Sequence, residues 1–196
     1  MCVEEQASEL RIFLIRHARP LVPDQGWFSA STARTYINDY DAAAVEAFVL
    51  QHESIPYQHI TKVYCSSLIR SQLTAKAIFG EQVTLVASPE FREFERKIAP
   101  LPWLRLPIKL WLVLARVLWF LGFNKRGIES FKQARQRARR CALLLAQDAQ
   151  TNQNTILVAH GLLNHFIRRE LLKLGWTDNL KEGHGFVAVN VVVKKA

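Results

Sequence analysis

The chain has 196 residues, 49% hydrophobic and 22% charged, which suits one domain with a substantial core and excludes a collagen, a repeat array or a disordered segment. Its formal charge of +9, from 26 Lys plus Arg against 17 Asp plus Glu, attracts anions in general and specifies none of them. Cys2, Cys65 and Cys141 are odd in number and widely spaced, so they read as reduced thiols, neither a disulfide framework nor a zinc pair.

The first ten residues, MCVEEQASEL, place acidic groups ahead of any apolar run. That is the reverse of a signal peptide, so a soluble, cytoplasmic protein is expected. Residues 10–15, LRIFLI, form a short continuous apolar run of the kind found in a fully buried strand. The run stops at Arg16-His17. Residues 20–40 contain Pro20, Pro23 and Gly26 and read as loop. The spacing of Ala43, Val45, Ala47, Phe48 and Leu50 predicts a helix over about 41–53. Residues 60–65 (ITKVYC) make a second strand. Ser66 and Ser67 then offer an N-cap to a helix that runs to about Ile78 and closes at Gly80.

Residues 83–87 (VTLVA) and 155–159 (TILVA) predict two further strands, with a long helix over about 129–149 before the second of them. Residues 186–193 (FVAVNVVV) predict a fifth strand, last in the sheet. Strands alternating with helices imply a three-layer α/β/α sandwich around a mostly parallel sheet, here a single domain over 1–196. Ligands of such sheets collect at the carboxyl ends of the strands. Three of these strands end in Arg16-His17, Cys65-Ser66-Ser67 and His160-Gly161.

Those residue types suit phosphoryl transfer. A phosphoryl group carries about two negative charges on three outward oxygens. Moving it requires a nucleophile, cations on those oxygens and an acid for the leaving group. A neutral imidazole serves as nucleophile when its tautomer is held. Arginine clamps the oxygens with a planar fork that stays charged. Arg70 falls one turn into the helix after the second strand. His160-Gly161 opens another helix, whose N-terminus adds N–H donors and the positive dipole end.

Five segments, in order, resemble the histidine phosphatase superfamily (branch 1), with its phosphoglycerate mutase-like fold. LIRHARP at 14–20 resembles L-x-R-H-G-x-T, and SSLIRSQLTA at 66–75 resembles S-S-x-x-x-R-x-x-Q-T-A. FRE at 91–93 is similar to L-x-E, IES at 128–130 to G-E-S, and VAHG at 158–161 to V-x-H-G. The resemblance implies a phosphomonoester hydrolase of the histidine acid type. His17 would form a phosphohistidine intermediate, and Arg16, Arg70 and His160 would bind the phosphoryl group. Glu93 would act as acid and then base, with Glu95 as the rival acid. No metal and no cofactor is implied, and the partner would be a phosphorylated small molecule.

The departures are Ala18 for glycine and Pro20 for threonine. Pro23 stands where the mutases of the family carry asparagine, which weighs against transfer between two sugar positions. Mutase-like activity, protein-phosphohistidine phosphatase activity and a non-catalytic phosphate-binding or membrane-docked module remain the alternatives.

Residues 101–123, LPWLRLPIKLWLVLARVLWFLGF, stand apart as a hydrophobic and basic helical insertion. Pro107 suits a helix start and Gly122 an end. The stretch between is too short to span a bilayer. A cap over the site or a part of the core is the favoured reading, with peripheral membrane contact or homodimerisation through 101–123 as alternatives. Lys132, Arg135, Arg137, Arg139 and Arg140 read as a solvated basic surface, and no nucleic-acid partner is expected. His52, His59, His165 and His184 are read as non-catalytic. None of them has a carboxylate set that would make a metal site.

Overall fold

Strand β1 (Glu9–Arg16) is a central strand of the structure, a computed structural model that describes residues 9–123, 127–182 and 185–195. In chain order there follow β2 (Trp27–Phe28), α1 (Ala30–Ala42), β3 (Lys62–Ser66), α2 (Ile69–Phe79), β4 (Thr84–Ser88) and β5 (Leu106–Pro107). Then come α3 (Ile108–Phe120), α4 (Phe131–Asn152), β6 (Asn154–Ala159), α5 (Gly161–Lys173), β7 (Thr177–Glu182) and β8 (Val189–Lys195). Among the described residues, six strands form one sheet in the order β4-β3-β6-β1-β8-β7. Within that sheet β1, β3, β4 and β6 are parallel, and β8 runs antiparallel to both of its neighbours.

Alternate residues of β1 enter opposite cores, as the period of a strand requires. Ile12 and Leu14 pack with Ala138, Ala142 and Leu145 of α4 and with Leu163 and Ile167 of α5. Phe13 and Ile15 pack with Ala75 and Phe79 of α2 on the other face. The result is a three-layer α/β/α sandwich. A third apolar cluster joins α1 to α3 through Ala33, Tyr36, Trp111 and Ala115. Cys65 and Cys141 are free thiols buried in the two main cores. Burial pushes their pKa values up to about 11 and about 12; Cys2 lies outside the described residues.

Four sequence expectations need correction. The helix expected over 41–53 lies earlier, at Ala30–Ala42, where Ser29 caps it by accepting from the Thr32 N–H. The residues that follow are recruited by the loop after β1: Leu21 N–H donates to Ala44 O and Glu46 N–H to Arg19 O. This tertiary pairing outweighs the local helical pattern. Ser66 and Ser67 do not cap α2; the N-cap position is Leu68, and Ser66 Oγ accepts from the Leu68 N–H. Strand β8 is not outermost. The edge is β7 (TDNLKE), whose charges and irregular register suit an edge strand but hide it from pattern reading. Finally, Arg137 is buried rather than solvated.

Helix α3 begins after Pro107 and stops before Gly122, which adopts a φ of +78°, a left-handed conformation that favours glycine. Trp119 fixes the helix to the body: its indole N–H donates to Glu129 O, and its ring stacks on Phe94 at 5.6 Å. Trp119→Ala is expected to cost about 3–5 kcal/mol, as for other buried Trp truncations, read from urea unfolding.

Candidate active site

The carboxyl ends of β1, β3 and β6 lie along one edge of the sheet, and β8 starts there because it runs the other way. Arg16 N–H donates to Ala188 O and His17 N–H to Ala159 O, so the β1 terminus is held between β6 and the approach to β8. His17 is 3% exposed. Its Nδ1 lies 2.7 Å from Ala18 O, a carbonyl that only accepts, so Nδ1 carries the hydrogen. Nε2 then holds the free lone pair, and Arg70 Nε donates to it at 3.2 Å. The imidazole is neutral: burial, reinforced by the charge of Arg70, pulls its pKa down to about 3.

Arg70 itself is 1% exposed. Its Nη1 donates to Asp41 Oδ1 at 2.9 Å and to Tyr40 O at 3.2 Å. Its guanidinium also lies 4.9 Å from the centre of the Tyr40 ring. Nη2 faces His160 Nδ1 at 3.5 Å, and His160 Nε2 faces Ser71 Oγ at the same distance. Arg70 has no acceptor, so Nδ1 of His160 accepts and Nε2 carries the hydrogen. The His17 and His160 rings meet at 5.0 Å. Burial, followed by the charges of His17 and Arg70, holds His160 well below the ordinary histidine range.

Arg16 lies over the Phe186 ring at 4.4 Å and passes close to Gly161. A Cβ at Gly161 would meet Arg16 Nε at 3.3 Å, so the glycine after His160 leaves room for the arginine before His17. Ala18, where the family motif has glycine, is not among the described residues with positive φ, and alanine fits there. Its N–H donates to Thr74 Oγ1, which in turn donates to Arg70 O at 2.6 Å. One hydroxyl thus ties the His17 loop to the helix that carries Arg70.

All five expected groups border a single cavity of about 540 Å³: Arg16, His17, Arg70, Glu93 and His160. Glu93 Oε2 accepts from the Leu162 N–H in the first turn of α5 at 3.3 Å, and Oε1 from the Phe94 N–H. Glu95 is turned elsewhere, accepting from the Glu129 N–H, and does not line this cavity. The Glu93 segment is clamped by Arg137, which donates to Glu90 O and Arg92 O and forks onto both Glu129 oxygens. Ser130 caps α4 in a capping box with Gln133. The IES segment therefore serves to position the acidic loop.

Sequence reasoning missed several wall residues. Tyr36, Tyr40, Arg96 and Phe186 border the cavity, as does His165, which was set aside. Helix α3 contributes Ile108, Lys109, Leu112, Val113 and Arg116. The available signal is the basic character of the 101–123 insertion, with Lys109 and Arg116 on the helix and Arg105 before it. Arg116 donates to Phe94 O at 2.8 Å. His52 instead closes a local turn by accepting from the Ser54 N–H, and His59 ends a short 3-10 turn. His184 falls outside the described residues. Among the described residues, no three His, Cys, Asp or Glu are grouped to hold a metal ion.

Two outcomes follow. Thr74→Val leaves the buried Ala18 N–H without an acceptor and is expected to cost about 1–3 kcal/mol in urea unfolding at neutral pH. Because folding lowers the pKa of His17 and of His160, the unfolded chain binds more protons below the ordinary histidine pKa of 6.5. Stability is therefore full above pH 6.5 and falls with pH below it. The slope approaches about 1.4 kcal/mol per pH unit for each histidine. His17→Gln should flatten the dependence of Tm on pH between 6.5 and 4, and an unchanged slope would contradict the assignment.

Solved structures of other proteins share this fold. The chain resembles a phosphoserine phosphatase from Entamoeba histolytica at 14% identity and a TM-score of 0.52, covering 92% of this chain and 89% of that one. It resembles the ecdysone phosphate phosphatase of Bombix mori at 12% identity and a TM-score of 0.52, covering 93% and 88%. At these identities the likeness is one of fold. A comparison with curated protein sequences finds no match. Among the described residues, no helix is long and apolar enough to cross a membrane. The family model of the histidine phosphatase superfamily (branch 1) matches residues 12–195, and the chain belongs to that superfamily.

Proposed function

We propose that the protein hydrolyses phosphomonoesters in two steps through a phosphohistidine at His17. The observation that carries this reading is the state of that imidazole. Its hydrogen is on Nδ1, its lone pair is on Nε2, and Nε2 is in contact with a buried guanidinium.

In the first step the Nε2 lone pair forms a bond to phosphorus, and the ester P–O bond breaks. Arg70 moves its N–H from Nε2 to a phosphoryl oxygen as the anion arrives. Arg16 and His160 take up the remaining oxygen charge. The leaving oxygen receives its proton from the Glu93 carboxyl group. In the second step Glu93, now a carboxylate, accepts a proton from water as that water attacks phosphorus. The P–N bond breaks, its electron pair returns to Nε2, and inorganic phosphate leaves. The Leu162 N–H at the start of α5 holds one oxygen of Glu93 in place for both steps.

The test is steady-state hydrolysis of two substrates of different leaving-group strength. His17→Ala should lose at least about 10³-fold in kcat on p-nitrophenyl phosphate, the scale of removing a nucleophile. In kcat/KM, which reports the first step alone, Glu93→Gln should lower the value for an alkyl phosphate about 10²-fold or more and that for p-nitrophenyl phosphate much less, because nitrophenolate leaves without a proton. Glu95→Gln should remain within about threefold of wild type on both, as expected of a group outside the reaction. A His17→Ala protein that retains the wild-type rate would overturn the reading. Equal losses on the two substrates in Glu93→Gln would remove the acid from it.

A further inference from the structure

The cavity is roofed by a helix with a second, outward face. On α3, Ile108, Trp111, Ala115 and Trp119 are spaced for one side of a helix and are 1% exposed. On the opposite side Leu110, Val113, Val117, Phe120 and Leu121 form a continuous stripe, each 42–63% exposed. Aromatic groups flank it. Phe123 follows the helix and Trp103 lies in the turn before it, and both are almost fully open. Trp27, 72% exposed, pairs with Pro107 in the two-stranded ribbon that leads into α3.

The sequence that carries this face is basic. From Arg96 to Ile128 the sequence carries seven Lys and Arg and no Asp or Glu. The nearby carboxylate of Asp24 is itself paired with Lys109 and Arg19. An apolar stripe with exposed tryptophans and a mainly basic border matches the chemistry of an anionic bilayer surface, with apolar groups in the acyl boundary and cations among lipid phosphates. At 13 residues the helix is about 20 Å long, too short to cross the ~30 Å hydrocarbon layer. A symmetric dimer through the same patch would set each basic border against its own copy.

The stripe is continuous with the cavity. Val113 belongs both to the exposed stripe and to the cavity wall, and Lys109 stands at the same rim. Inside, Ile108, Leu112 and Leu162 give an apolar approach to the cationic floor of Arg16, Arg70 and Arg96. We propose that this face docks the protein on anionic lipid bilayers, with the cavity mouth at the surface. The substrate class is then a phosphomonoester whose apolar tail lies in the bilayer and whose phosphate reaches His17. The substrate clause rests on the phosphatase reading, whereas the docking clause stands without it.

The experiment is sedimentation of the full chain with vesicles of phosphatidylcholine alone or mixed with phosphatidylglycerol. Wild type should sediment with the anionic vesicles, bind the neutral ones about tenfold less, and be released by high salt. The double variant Leu110→Glu, Val117→Glu alters only exposed positions outside the cavity. It should lose at least about tenfold in vesicle affinity while its hydrolysis of p-nitrophenyl phosphate is unchanged. On dodecyl phosphate carried in anionic vesicles its kcat/KM should fall by a similar factor, whereas on ethyl phosphate in solution it should not. Wild type that stays in the supernatant with both vesicles overturns docking, and so does a concentration-dependent dimer abolished by the same substitutions without vesicle binding. Docking without preference for the vesicle-borne substrate overturns the substrate clause. Loss of all hydrolysis in wild type would instead count against the phosphatase reading, with vesicle binding unaffected.

Discussion

The site depends on one contact, the N–H of Arg70 directed at the bare Nε2 of His17. A guanidinium and an imidazole can share that distance only while the imidazole is neutral. The contact therefore fixes the protonation state of the group proposed as nucleophile. It also keeps a donor beside the point at which a phosphoryl oxygen would arrive. Everything adjacent maintains this pairing. Asp41 and Tyr40 O hold the far end of the arginine, and Ala18 O holds the other nitrogen of the imidazole. Thr74 bridges the two backbones. Asp41 balances part of the charge on Arg70, and keeping the buried histidines neutral adds no further positive charge beside the arginines.

The acidic partner is delivered by different physics. Glu93 sits on an irregular segment after β4, where no ladder fixes its direction. Its position is set from outside by the buried Arg137, which closes on two backbone carbonyls and both oxygens of Glu129 around it. Arg116 does the same from the α3 side through Phe94 O. Burial pulls Arg116 down to about 10, and the Glu93 carboxylate opposes that shift. The long helix α4 and the helix over the cavity therefore act on the same loop. Trp119, bonded to Glu129 O, connects them.

Much of this was legible from sequence, for a specific reason. Buried parallel strands are continuous apolar runs with abrupt polar ends, so LRIFLI and TILVA announced both the sheet and the residues at its edge. Arg16, His17, Arg70 and His160 all lie within a turn of such ends. Glu93 came from motif order alone, and its separation from Glu95 required coordinates, because a loop gives two nearby carboxylates no fixed phase. Arg137 was misread because five basic residues on one helix look like a solvated face. What singles it out is Glu129, eight residues away and outside the helix. The Ala30–Ala42 helix and the polar edge strand were missed because capping and ladder pairing, rather than apolar periodicity, hold them.

Helix α3 shows why periodicity could not assign the insertion. A helix apolar on all sides reads equally as core or as membrane-associated, and both descriptions fit different faces of these 13 residues. Ile108, Trp111, Ala115 and Trp119 anchor one side in the protein. Lys109, Leu112 and Arg116 line the cavity on a second, and Leu110, Val117 and Leu121 leave the third open. The basic residues fall where the cavity needs cations, so the hydrophobic count of the segment is divided between folding and an unpartnered surface. Trp111 and Trp119 are each tied to a backbone carbonyl, of Phe28 and of Glu129. The open stripe is thus carried on a rigid support and need not unfold from the body to meet a surface, which keeps the cavity rim and the stripe in fixed register.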